Sequence, residues 1–235
     1  MSRQSRRVQL APAYILHHRP YRETSRILEV LTREHGRLTL FARGVRGPKS
    51  KLAAALQPFS PLLVSWSGRG EAAQLTAAEL AGESNPLPPA ALMSAFYLSE
   101  LVLKLTVRHD GLLPIFDAYH SALIVLKQGA ASAPVLRIFE KRLLEALGFG
   151  LDLSGLDARA HYQFRPLEGV RETSADHPDC LAGYSLLELA SEKLETARAL
   201  DDSRRLLRLA IDHCLEGRPL ATRGVARAVL KEARA

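Results

Sequence analysis

At 235 residues, with 47% hydrophobic and 24% charged residues, the chain has ordinary globular composition and room for one large domain or two small ones. It holds no apolar run near the roughly 20 residues of a membrane span, no signal-peptide pattern after its basic start, and only two cysteines; membrane and disulfide-scaffold classes are excluded, and the cytoplasm is the expected location. The net charge of +7 is lopsided: residues 1–70 carry 13 Lys/Arg against three acids (Glu23, Glu29, Glu34), the rest 19 against 22, which points the first third at a polyanion.

That first third reads as β. Residues 14–16 (YIL), 27–31 (ILEVL), 38–41 (LTLF), 61–66 (PLLVSW) and 73–76 (AQLT) are short apolar or alternating runs. Gly36 is expected at positive φ in the turn at 34–37, and residues 67–70 (SGRG) make another turn. Five such strands over roughly 80 residues fit a small closed barrel, of which the oligonucleotide-binding kind is the commonest five-stranded form; an SH3-like barrel has the same outline. Three prolines within residues 84–89 end the strands. The expected architecture is α+β and multidomain: an oligonucleotide-binding (OB) barrel over residues 1–82, then a mainly α-helical domain over 83–235.

Beyond the prolines the apolar period becomes 3.6. Ala91, Ala95, Leu98, Val102 and Leu105 share one face, and Leu112, Phe116, Tyr119, Leu123 and Leu126 repeat the spacing after a cap at Asp110. A third helix carries Leu136, Phe139, Leu143 and Leu147 between a cap at Ser132 and a stop at Gly148. Residues 150–183 lose periodicity and read as irregular. Helices resume near 185–199, 203–215 and 220–233.

The loop at 42–51 (ARGVRGPKSK) says most about function. Its glycines expose backbone N–H groups, and Arg43, Arg46, Lys49 and Lys51 can each neutralise a phosphate; the alternative is a solvated loop. With Arg19, Arg22, Arg37 and Arg69 they form the expected DNA-binding set. The barrel's aromatics are Tyr14, Tyr21, Phe41, Phe59 and Trp66, and several of them must be core. Binding is therefore expected to be driven by phosphates, with low sequence specificity and steep salt dependence. His17 and His18 are expected at a strand end, capping or contacting phosphate, and Asp201 and Asp202 as the cap of a basic helix. His177 and Cys180 have ligand-like spacing, but His213 and Cys214 diverge by about 100° on a helix. No metal ligand and no cofactor are assigned. No phosphate-cradling loop, zinc-protease helix or serine-hydrolase elbow occurs, so no catalytic residue is assigned either. The rival readings are an RNA-binding or ribosome-associated barrel and a metal-dependent nuclease, the latter disfavoured by the scarcity of acids in the basic part.

Taken together, residues 14–25 (YILHHRPYRETS), 32–37 (TREHGR), 42–46 (ARGVR), 55–63 (ALQPFSPLL) and 68–71 (GRGE) resemble the bacterial RecO family of DNA repair and recombination mediators. The resemblance continues through 96–101 (FYLSEL), 136–140 (LRIFE) and 143–150 (LLEALGFG), and ends in a degenerate closing motif at 217–223 (GRPLATR). It implies an oligonucleotide-binding barrel followed by helices, binding to single- and double-stranded DNA, and annealing of complementary strands. It further implies work with the partner RecR, and indirectly with recombinase, on DNA coated by single-stranded DNA-binding protein; nucleoid association in the cytoplasm follows. Arg137 matches the family's arginine that receives the acidic tail of single-stranded DNA-binding protein; without the resemblance it reads as a surface arginine on a helix. Many members carry a four-cysteine zinc module after the LGFG stretch. Here Ser154 and Asp157 stand near the first cysteine pair and His177 and Cys180 near the second, so the module is degenerate. Ala221 stands where the closing motif often has lysine, and the motif is given no binding role.

Overall fold

The computed structural model describes residues 7–47, 50–68, 73–82 and 85–232, which fall into two compact units, Met1–Gln128 and Gly129–Ala235. In the first, five strands carry the sheet: β1 (Arg7–Tyr21), β2 (Ser25–Thr32), β3 (Gly36–Ala42), β4 (Leu62–Ser67) and β5 (Gln74–Leu80). Their order is β1-β2-β3-β5-β4, and β4 pairs back onto β1, so the sheet closes into a barrel. Closure is thinnest between β3 and β5, where the pairing is the single parallel match Phe41–Gln74, with the Phe41 N–H donating to the Ala73 carbonyl at 3.0 Å. This is the five-stranded oligonucleotide-binding architecture read from the sequence.

β1 is far longer than the apolar run at 14–16 suggests. Its first half pairs with β4 and its second with β2, with register shifts between Val8 and Ala11 and between Ile15 and His17. Such irregularities let one strand bend around a small barrel. Pro12 and Pro20 and the polar run at 17–19 disguise it in the sequence. His17 and His18 accordingly lie within β1 rather than at a strand end. Inward, alternation delivers Ile15, Leu28, Val30, Leu38, Leu40, Val64 and Trp66 to one core. A short helix α1 (Lys51–Ala55), not foreseen, follows Ser50, whose side chain accepts the Ala53 N–H at 3.3 Å.

Two helices complete this unit, α2 (Leu92–Leu105) and α3 (Leu113–Lys127). They cover part of the barrel's outer surface around Tyr14, whose hydroxyl bonds His120 Nδ1 at 2.6 Å and whose ring packs edgewise on Tyr119 with centroids 5.3 Å apart. Burial raises the Tyr14 phenol to about 12. Asp110 does not cap α3: Leu112 holds that position, and no side-chain cap bond forms. Residues 109–111 are held by the β2–β3 hairpin instead. His109 N–H donates to the Arg37 carbonyl at 2.8 Å, and a Cβ on Gly36 would come 1.9 Å from the Asp110 carbonyl oxygen. Gly36 has the expected positive φ, +63°.

The second unit holds α4 (Ser132–Ala146), α5 (Gly183–Ala190), α6 (Ala197–Leu215) and α7 (Ala221–Glu232). Ala131 occupies the cap position of α4, without a side-chain bond, and Ser132 is already helical. Gly148 ends that helix as expected, at φ +83°. The stretch at 150–183 is not irregular throughout: β6 (His161–Arg165), β7 (Gly169–Thr173) and β8 (Leu181–Ala182) form a sheet in the order β7-β6-β8. Strands this short and half polar leave little periodic trace.

The later helix break falls at 191–196, not at 200–202. Thr196 caps α6 by accepting the Ala199 N–H at 3.1 Å. Asp201 and Asp202 therefore lie inside α6, and Asp202 is fully buried, accepting from the Ala182 N–H (3.1 Å), Arg198 (3.0 Å) and Arg205 (2.6 Å). Burial pushes its carboxyl up, but Arg205, the Ala182 amide and Arg198 outweigh this and hold it below the usual carboxylate range. Among the described residues, no helix is long and apolar enough to cross a membrane.

Candidate nucleic-acid interface

The cross-strand register sorts the outward-facing residues of β1, β2 and β3 into rows. Tyr14, Leu31 and Arg37 form one, His17, Glu29 and Thr39 the next, and Arg19, Ile27 and Phe41 the third; Tyr21 and Ser25 follow at the far end. Helices and the 106–111 segment occupy the first two rows. Glu29 is the hub there, accepting from Arg37 (3.0 Å), Thr39 (2.8 Å) and Arg108 (2.7 Å). Burial raises the Glu29 carboxyl, but its bonds to Arg108, Thr39 and Arg37 prevail and keep it below its ordinary value.

The far end is open. There the outer surface sinks into a groove of about 810 Å³ whose lining includes Tyr21, Arg22, Phe41, Arg43 and Gln74. Tyr21 and Phe41 stand on strands separated by β2, yet their ring centroids are 5.5 Å apart at an interplanar angle of 73°. Two strand spacings are about 9.6 Å, so the two rings lean towards each other over β2, where outward-facing Ile27 is only 7% exposed. Tyr21 itself remains 37% exposed. Arg22, in the β1–β2 turn, is left-handed (φ +52°), and its guanidinium carbon lies 5.3 Å from the Tyr21 ring centre. One acid, Glu23, also lines the groove.

The loop after β3 is tied to this end. Val45 is buried in the barrel core, the Arg46 N–H donates to the Thr24 carbonyl (3.0 Å), and Arg46 Nη1 donates to the Arg22 carbonyl (3.1 Å). Arg43 and Arg46 are exposed on a turn braced against the β1–β2 hairpin, not on a freely solvated loop.

Of the expected DNA-binding set, Arg19, Arg22, Arg43 and Arg46 thus gather at one end of the outer face. Arg37 does not join them. Its guanidinium is only 12% exposed and bonds Glu29, the Thr106 hydroxyl (3.1 Å) and the Thr106 carbonyl (2.8 Å), so it fastens the 106–111 segment to the barrel. Lys49 and Arg69 lie outside the described residues, as does the Lys51 side chain. The aromatics divide cleanly: Tyr14, Phe59 and Trp66 are buried, whereas Tyr21 and Phe41 line the groove. Alternation is the signal that could have found Phe41, since Leu38 and Leu40 point inward.

Arg137 is no surface arginine: its side chain is 11% exposed and donates to Glu140 at 2.6 Å, while its buried Nε has no hydrogen-bond partner among the described residues. His18, within β1, is lowered by burial and by the neighbouring charges of Arg26 and His17. His177 Nδ1 accepts the Asp179 N–H at 3.2 Å and the Cys180 thiol donates to the Ala175 carbonyl at 3.3 Å. No cluster of three or more His, Cys, Asp or Glu suited to a metal occurs among the described residues.

Residues 7–83 match the family model described as Recombination protein O N terminal, and residues 88–155 the one described as Recombination protein O C terminal. The chain is 42% identical over 224 residues to the DNA repair protein RecO of Methylococcus capsulatus, covering 92% of each. It is 40% identical over 234 residues to that of Cupriavidus pinatubonensis, covering 95% of this chain and 80% of the relative. Against that of Burkholderia pseudomallei it is 40% identical over 228 residues, with 93% and 83% covered.

Proposed function

The chain belongs to the RecO family of DNA repair proteins, and from that premise we propose that it is a non-catalytic mediator of homologous recombination. It binds single- and double-stranded DNA through the open end of its barrel, using Arg19, Arg22, Arg43 and Arg46; Lys49, Lys51 and Arg69 belong to the same set by sequence. It anneals complementary strands and, with RecR, helps load recombinase onto DNA coated by single-stranded DNA-binding protein. Its place is the cytoplasm, at the nucleoid.

One observation carries this reading: exposed Arg22 and Arg43 line an open groove on the outer barrel face, and exposed Arg19 and Arg46 belong to the same strand end and turns. Annealing needs no bond-making group. Two complementary strands repel each other, and a basic surface that neutralises both lowers the barrier to pairing. The tail of single-stranded DNA-binding protein is received at Arg137. Support for this comes from the likeness of residues 136–140 to the family; Arg137 is held by Glu140 at 2.6 Å, so the tail carboxylate would take that partner's place.

The test is an annealing assay on complementary strands, bare and coated with the cognate single-stranded DNA-binding protein. Wild type should anneal both, and Arg22→Ala with Arg43→Ala should slow both severely. Full activity in that double variant would remove the open end from the DNA site, and cleavage of the labelled strands would replace mediation with nuclease chemistry.

A further inference from the structure

The groove holds more than cations. A planar, half-exposed Tyr21 ring, buttressed edge-on by Phe41 and covered at 5.3 Å by the guanidinium of Arg22, is built like a stack with one removable layer. We propose that Tyr21 seats one unpaired nucleobase, and that Arg22 leaves the ring for the phosphate beside that base. The inference rests on the DNA-binding reading above and adds a base subsite to a surface that phosphates alone do not explain.

The exchange is favoured on physical grounds. An exposed guanidinium over a phenol is a weak contact, whereas a nucleobase offers a larger apolar plane to the same face. The displaced Arg22 stays charged and gains a phosphate oxygen, for which a guanidinium fork is well shaped. Its left-handed backbone, held from behind by Arg46 Nη1 on the Arg22 carbonyl, keeps the turn in place while the side chain moves. Arg43, two residues beyond Phe41, is positioned for a second phosphate, and Gln74, beside Phe41 across the β3–β5 closure, offers an amide to a base edge.

The consequence is discrimination between strands. Bases in a duplex are stacked on each other and cannot reach Tyr21 without unpairing, so the subsite strengthens only single-strand binding. The described residues offer one exposed aromatic platform in this groove, so one base is anchored and its neighbours stay free to pair. An annealing surface needs that combination.

The test compares two labelled oligonucleotides of equal length on the full chain: oligothymidine, and an abasic strand with the same phosphates but no bases. Wild type should bind oligothymidine about tenfold more tightly than the abasic strand. Tyr21→Ala should bring the two affinities together by weakening oligothymidine alone, and Tyr21→Trp should restore the gap. Arg43→Ala should weaken both equally. Equal wild-type affinities, or a gap that survives Tyr21→Ala, would overturn the base subsite while leaving the DNA-binding reading intact. Failure of wild type to bind either strand would overturn that reading, and the subsite with it.

Discussion

The two ends of the barrel's outer face are made from the same three strands with the same alternation, yet their arginines sit in opposite surroundings. At the covered end, Arg37 is drawn into a network with Glu29, Thr39 and Thr106 and serves as a fastener. At the open end, Arg43 and Arg22 border a groove and remain exposed to solvent. An arginine on a basic strand is therefore not by itself a phosphate contact. Whether a carboxylate and a carbonyl return to it from elsewhere in the chain decides its role.

The covered end depends most on Gly36. A side chain there must adopt a left-handed backbone and would collide with the Asp110 carbonyl, detaching the segment that Arg37 fastens. Gly36→Ala is expected to lower stability by about 3–5 kcal/mol, read as a drop in denaturant midpoint; an unchanged midpoint would mean that the segment is not held there. A smaller effect separates the two arginines. Arg37→Ala should cost about 2–3 kcal/mol of stability with DNA affinity unchanged below its melting temperature. Arg43→Ala should leave stability within about 0.5 kcal/mol and weaken DNA binding, lowering the slope of log K against log salt by roughly 0.7 on single strands. Parallel melting and salt titrations of both variants would expose any exchange of roles.

The smallest effect is acid-dependent and belongs to the covered end alone. Glu29 ionises more readily folded than its ordinary value of 4.5, so its contribution to stability is complete above that pH and is lost as pH falls through the lower folded value. Glu29→Gln should melt below wild type at neutral pH, and the gap should narrow as the buffer is acidified below about 4.5. A gap independent of pH would show that the Glu29 charge does not hold the clamp. The proposed DNA binding by the open-end arginines should show no matching transition.

Much of this was legible from local pattern. Alternation located four of the five strands closely, Gly36 announced its turn, and the 3.6 period placed α2, α3 and α4. Local pattern failed where a residue's partner lay far off. β1 hides behind two prolines because its pairing is shared between β2 and β4. Asp202 resembles a cap because acids favour helix starts, yet it is buried inside α6 by Arg205, Arg198 and the distant Ala182 amide. Arg137 reads as surface because its partner Glu140, three residues on, looks like an ordinary helical ion pair; burial cannot be seen in that spacing.

Charge asymmetry, the barrel-then-helix order and the family are all legible locally, since they depend on composition, period and short motifs. Which cations stay exposed and which aromatics stay open follows from long-range packing. Arg37 meets Thr106 across 69 positions of chain, and Tyr21 meets Phe41 across an intervening strand. Alternation fixes which side of a strand a residue faces. Whether that side is then covered is set by where distant segments return, and hydrogen bonds of about 3 Å leave no periodic trace of such returns along the chain.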